Sequence, residues 1–188
     1  MDHLSAAQLE AGLDNVLAAP REEGLLASIV ARPGVGERRV VETARLDHTL
    51  GLVGDNWLSR GNKRTPDGSA VPGMQVTVMS ARVAQLVAAG TQRMALAGDQ
   101  LYVDLDLSVD NLPAGSRLRI GGAVLEVSEV PHLGCMKFVE RFGEEAMRFV
   151  NSRLGRQLRL RGVNTFVVAG GDIRIGDAVT PTSALVDS

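Results

Sequence analysis

The chain has one cysteine, six aromatic residues and no apolar run near the roughly 18 residues of a membrane span. A single cysteine closes no internal disulfide, which fits a reducing compartment. Aromatic residues make up only 3%. The core must therefore be aliphatic, and stacking platforms for single-stranded nucleic acid are scarce. A formal charge of -2 gives no general grip on nucleic acid or on an anionic membrane. Three scattered histidines and one cysteine do not make a four-ligand zinc site. No P-loop, dinucleotide fingerprint or serine-nucleophile motif occurs. Met1-Asp2-His3 is not basic and shows no secretory signal. The expectation is a soluble cytoplasmic protein that binds neither nucleic acid nor membrane.

What is present is an ordinary globular mixture, 45% hydrophobic and 22% charged over 188 residues. Residues 1–20 read as an N-terminal helical extension. Ser5 and Gln8 resemble a capping box, Leu9, Leu13, Val16 and Leu17 recur at helical spacing, and Pro20 closes the segment. Residues 21–188 read as one domain. Strands are expected over Leu25–Ala31, Glu37–Ala44, Met74–Met79, Tyr102–Leu107, Arg117–Ile120, Ala123–Val130 and Val163–Ala169, and Ile173–Val179 reads as a strand with a turn. Gly121-Gly122 is a hairpin signal. A helix is expected from Ser80 to Ala89, stopped by Gly90. Another follows Cys135, with Phe138, Phe142, Ala146, Phe149 and Val150 on one face. Residues 59–73 form a long loop bearing Arg60, Lys63 and Arg64, either solvated or able to close over an anion. The last residues, 181–188, read as frayed. Many short strands and a few helices give an α+β class, and a closed β-barrel is the architecture that removes free edges.

The stretch Pro131-His132-Leu133-Gly134-Cys135-Met136-Lys137-Phe138 joins a strand to a helix, a place where a rigid scaffold presents chemistry. Partial positive charge at a helix start favours a thiolate. Lys137 and Arg141 share a face at i, i+4 and oppose the helix dipole, which an anion would relieve. Alternatively, Arg141 pairs with Glu145 on a wet surface, Lys137 pairs with Glu140 or with water, and Cys135 is a small core residue. From 131 to 163 there are seven Lys or Arg against three Glu, a surplus of four. Arg156 to Leu160 alternates as a strand would, placing Arg159 and Arg161 on one face and the leucines on the other. Grouped arginines suit a phosphate, or form a surface patch balanced elsewhere. His132, Asp55 and His48 are further candidates. In Gly51-Leu52-Val53-Gly54-Asp55 the backbone needs positive φ, as a tight turn or against a ligand.

Gly51-Leu-Val-Gly-Asp55, Gly121-Gly-Ala-Val-Leu-Glu-Val127, Cys135-x-Lys137 with Arg141-Phe-Gly143, Arg161 and the Gly170–Val179 stretch resemble the MOSC domain, named for the C-terminal domain of molybdenum cofactor sulfurase. The resemblance spans roughly residues 25–180. It implies a strongly bent, mostly antiparallel β-barrel with peripheral helices, in a standalone bacterial-type member. It implies binding of the molybdenum cofactor (molybdopterin), with Cys135 as the essential cysteine: either molybdenum ligand in reduction of N-hydroxylated compounds, or persulfide carrier. Lys137, Arg141, Arg159 and Arg161 would hold phosphate and pterin, with His132 and Asp55 near the same cavity. A separate redox protein or a cysteine desulfurase would be the partner. Pyridoxal phosphate ranks last, because no specific Schiff-base lysine is visible. Where the bacterial reductases carry His-Gly-Gly after Gly-Asp, this chain has Asn56-Trp57-Leu58-Ser59-Arg60-Gly61. A non-catalytic module for an anionic small molecule is the alternative from another class.

Overall fold

A computed structural model describes residues 3–182. Ser5 and Gln8 form the expected capping box, Ser5 Oγ accepting from the Gln8 N–H and Gln8 Oε1 accepting from the Ser5 N–H at 2.9 Å. The expected single helix is two short ones, α1 (Ala6–Ala11) and α2 (Leu13–Leu17), broken at Gly12. Leu9 is their fully buried anchor.

Strands follow in the order β1 (Gly24–Ala31), β2 (Arg39–Val41), β3 (Thr43–Asp47), β4 (Gly51–Leu52), β5 (Val76–Ser80), β6 (Leu101–Asp104), β7 (Arg117–Ile120), β8 (Ala123–Val127), β9 (Val163–Ala169), β10 (Gly171–Arg174) and β11 (Ala178–Thr182). Between them lie α3 (Trp57–Arg60), α4 (Ala81–Val87), α5 (Met136–Asn151) and α6 (Arg153–Gln157). The main sheet runs β11-β7-β8-β9-β5-β6-β1-β2, and its first seven strands close into a barrel through pairing of β1 with β11. Among the described residues only β5 and β6 pair in parallel, with α4 as the crossover between them. Closure removes the free edges of the barrel. A small sheet, β10-β3-β4, packs Leu46, Leu52 and Ile173 onto the barrel core.

Period-two alternation explains why there are two cores. Val76 and Val78 of β5, and Leu101 and Val103 of β6, point into the barrel. Met79 and Tyr102 point outward into a second core under α1, α4 and α5. In β1 a bulge between Leu26 and Ser28 shifts the register, so Leu26 and Ile29 both face inward and Val30 outward. The hydrophobic cluster of the barrel interior is built from aliphatic side chains, while Tyr102, Phe138 and Phe142 belong to the outer core.

Several expected boundaries change. Glu37–Ala44 splits into β2 and the start of β3, whereas the turn expected within Ile173–Val179 is present, between β10 and β11. Tyr102–Leu107 ends as a strand at Asp104, and Ala123–Val130 at Val127. The 59–73 loop begins inside α3 and ends in a 3-10 turn over Pro72–Met74. Pro181 and Thr182 are paired in β11 rather than frayed, and 183–188 lie outside the described residues. The largest correction concerns Arg156–Leu160, which is no strand. Ser152 Oγ accepts from the Gly155 N–H at 2.9 Å and starts α6 there, followed by a turn.

Candidate functional site

The loop 131–134 is clamped by two amides. Asn164 Nδ2 donates to the carbonyls of Val130 at 3.1 Å and Pro131 at 3.3 Å. Asn151 Oδ1 accepts from the Gly134 N–H at 2.9 Å. This fixes Cys135 as the N-cap of α5, and its side chain makes no capping bond. The thiol is free and exposed. Gly143 adopts φ 86°, so the helical turns carrying Cys135 are offset from the remainder of α5. The apolar stripe survives the kink: Phe138, Phe142, Ala146 and Val150 are all buried.

Cys135 lines a cleft of about 460 Å³. Six cations line the same cleft: Arg32, Arg38, Arg60, Lys137, Arg141 and Arg161. Glu140 is the one acid among the lining residues. Two cations have carboxylate partners. Arg32 makes a bidentate pair with Asp55, Nε to Oδ2 at 2.7 Å and Nη2 to Oδ1 at 2.9 Å. Arg161 Nη1 donates to Asp99 Oδ2 at 2.6 Å. Arg38, Arg60, Lys137 and Arg141 have no carboxylate within ion-pair distance among the described residues. Neither surface pairing, Arg141 with Glu145 or Lys137 with Glu140, forms. Arg141 Nη1 instead donates to the Leu96 carbonyl at 2.7 Å. Burial first, and then the neighbouring charges of Arg141 and Arg32, push the Arg38 guanidinium below its ordinary pKa.

Behind the cleft wall lies a buried ionic node. Asp99 is fully buried and bonds both Arg161 and His132, the latter at 2.9 Å. Burial alone would raise the Asp99 pKa, but Arg161 and then His132 overcome it and hold the carboxyl down at about 2. Burial, then Arg161, lower the His132 pKa, against the pull of Asp99. The imidazole is therefore neutral near pH 7, and its Nε2–H donates to an ionised carboxylate that can only accept. Arg161 also stacks on Phe138, 5.1 Å from guanidinium carbon to ring centroid. Gly162, beside it, has φ 94°, and an added Cβ would lie 2.3 Å from the Val78 carbonyl oxygen. Gly162→Ala is thus expected to destabilise the fold by about 3 kcal/mol; urea unfolding reads this, and an unchanged midpoint would refute the assigned strain.

Of the residues singled out in the sequence, Cys135, Lys137, Arg141, His132 and Arg161 meet at the cleft. Asp55 does not line it; its carboxylate pairs with Arg32, which does, and also accepts from the Trp57 N–H. Arg159 lines a different cavity, because the segment turns where a strand was expected, and it adopts φ 49°. His48 is exposed, and its carbonyl accepts from Gln75. Arg32, Arg38, Asn56 and Asp99 were missed. The available signal was a charged residue directly after an eight-residue apolar strand, at Arg32, and a Gly-Asp pair before another, at Asp99.

The family model for the MOSC domain matches residues 67–180, more than half of the chain. The Gly51–Asp55 element lies before the matched span. No curated protein matches. The fold resembles that of the YuaD protein from Bacillus subtilis, with TM-score 0.64 and 17% identity over 86% of this chain and 96% of that one. It also resembles YiiM from Escherichia coli, with TM-score 0.56 and 20% identity over 87% and 72% of the two chains. For YiiM from Geobacillus stearothermophilus the values are 0.59 and 13%, over 87% and 77%. With its bent barrel, its thiol at a helix start and the matched span, the chain belongs to the MOSC domain family.

Proposed function

We propose that the protein binds the molybdenum cofactor in the cleft, with Cys135 as molybdenum ligand, and serves in the reduction of N-hydroxylated compounds. One observation carries this reading: an exposed free thiol in a cleft with four cations that lack carboxylate partners. The residues fit the cofactor on three counts. Arg38 Nε, Arg161 Nε and Asn56 Oδ1 are buried, lack partners, and belong to lining residues. Such groups ask for a polar ligand. No cluster of three or more His, Cys, Asp or Glu that could hold a bare ion occurs among the described residues. A single thiolate is enough for a soft metal that brings its other ligands with it. The cations suit the cofactor's phosphate.

Bound there, the cofactor would supply the redox chemistry. Lys137 and Arg141, with Arg38 and Arg60, would hold the phosphate. Arg161, braced by Asp99, would face the pterin. Electrons would come from a separate redox protein. The test is expression with intact cofactor synthesis, followed by assay of molybdenum and pterin. Both are expected at near-equimolar amounts in the wild type, with molybdenum lost on Cys135→Ser. Absence of both from the wild type overturns the reading.

The exposure of Cys135 also favours a second reading, a persulfide carrier fed by a cysteine desulfurase. Mass spectrometry after incubation with a desulfurase and cysteine would show added sulfur on Cys135. An unmodified thiol would dismiss it.

A further inference from the structure

The cleft is rich in donors and poor in acceptors. Its six cations can only donate. Among the side-chain acceptors of its lining, the Glu140 carboxylate belongs to an exposed residue. The Thr77 hydroxyl is committed to Gln100, donating to Oε1 at 2.6 Å and accepting from the backbone N–H at 3.3 Å. Asn56 Oδ1 is one of the orphaned groups already set against the cofactor. There remains the imidazole of His132, three residues before the thiol.

A neutral imidazole has one donor nitrogen and one acceptor, and its surroundings decide which is which. Nε2 lies 2.9 Å from Asp99 Oδ1, and that buried, ionised carboxylate can only accept. The proton therefore sits on Nε2, and Nδ1 keeps a bare lone pair. Nδ1 has no hydrogen-bond partner among the described residues, and it is not one of the unpartnered atoms sealed from solvent. The ring is also held in place. Asn164 pins the two carbonyls before it, Asn151 pins Gly134 after it, and Arg161 fixes Asp99 from behind at 2.6 Å. A buried aspartate that sets both tautomer and aim of a histidine is the arrangement that orients the base of hydrolytic triads.

We propose that His132 Nδ1 accepts the hydroxyl hydrogen of the N-hydroxylated substrate, which makes His132 the residue that selects a free N–OH over its O-alkylated counterpart. Asp99 is the positioning residue behind it. This role rests on the cofactor reading given above, and names the group that recognises the substrate of that same site. The imidazole acts uncharged. A cation in its place would offer one more donor and meet a hydroxyl or an ether oxygen alike. A fixed acceptor meets only the hydroxyl, because the analogue without the hydrogen leaves it unpaired.

Benzamidoxime and its O-methyl ether are the probes, titrated into the cofactor-loaded protein by calorimetry with no electron donor present, so that nothing is consumed. The wild type is expected to bind the free hydroxyl about tenfold more tightly. The nitrogen resonance of His132 Nδ1 should move with benzamidoxime and stay in place with the ether. His132→Gln separates recognition from bracing: the glutamine amide reproduces the Nε2–H donor to Asp99 and removes the Nδ1 acceptor. Melting temperature, molybdenum and pterin should therefore hold, while the preference for the free hydroxyl falls to about twofold or less. The ratio of the two affinities is what is compared, because the bulk of the methyl group is the same in both proteins. An undiminished preference in the variant, or an unmoved Nδ1 resonance in the wild type, overturns this role and leaves the cofactor reading standing. A wild type without molybdenum and pterin overturns both. Should the variant fail to fold, the wild-type resonance decides alone.

Discussion

Replacement of Asp99 by alanine is expected to destabilise the protein by about 3–5 kcal/mol, the range for breaking a buried ion pair from one side. For a chain of this size that is a fall of about 6–20 °C in melting temperature. The cause is what remains behind. Arg161 is 7% exposed at its side chain and would keep its charge with no carboxylate. Its other contacts are the Ala97 carbonyl at 2.9 Å, the Met79 sulfur and the Phe138 ring, none of which neutralises it. Asp99→Asn keeps the size and one acceptor, and should lose about half as much. Urea midpoints measure both, and a change below about 1 kcal/mol would show the node to be dispensable.

The same node sets an acid limit. The Asp99 carboxyl sits at about 2 in the folded protein against an ordinary 3.8. A depressed carboxyl contributes stability that is complete above the unfolded value and drains as pH falls towards the folded one. His132, lowered from 6.5, acts in the same direction: folding favours its neutral form, so its contribution is full above 6.5 and lost as the pH falls towards its lowered value. Stability should therefore decline in two stages on acidification, and the lower stage should vanish in Asp99→Ala.

Reversing two charges, Lys137→Glu with Arg141→Glu, is expected to cut cofactor retention by about two orders of magnitude or more. A hydrogen bond to a charged group contributes roughly 1.5–3 kcal/mol, and exposure of Lys137 puts its share at the low end. Reversal adds repulsion to the loss. Molybdenum and pterin remaining after gel filtration measure the effect, and added salt should weaken wild-type retention. The fold should tolerate the change, since Arg141 loses only its bond to Leu96. Arg148→Gln, further along α5 in exposed pairs with Glu144 and Glu145, is the control and should retain cofactor normally. Equal retention in the reversed variant would remove the cations from the site.

The strands of the barrel were legible because short runs rich in β-branched residues mark them even where both faces are buried: Val76 and Val78, with Leu101 and Val103, line the interior, while Met79 and Tyr102 face the second core. The thiol and its two neighbouring cations were legible because they are local in sequence. The node was not. Arg161 finds Asp99 62 residues away, and Arg32 finds Asp55 23 residues away, so their burial depends on chain closure that no local pattern encodes. Arg156–Leu160 misled for the opposite reason. A short alternating stretch fits a strand on paper, but Ser152 starts a helix, and Gly155 lets it sit directly against the Phe149 and Val150 carbonyls. Leu160 and Arg161 are then both buried, where alternation would have separated them.

Trp57 is the only tryptophan in the chain, and it opens α3 between the Asp55 carboxylate, which accepts from its N–H at 2.9 Å, and the cleft residue Arg60. The residue is 6% exposed and shielded from water. All near-ultraviolet emission selected at long excitation wavelength thus comes from one corner of the molecule. Filling the cleft with an absorbing heterocycle should quench that light directly, giving an unlabelled optical titration of the site.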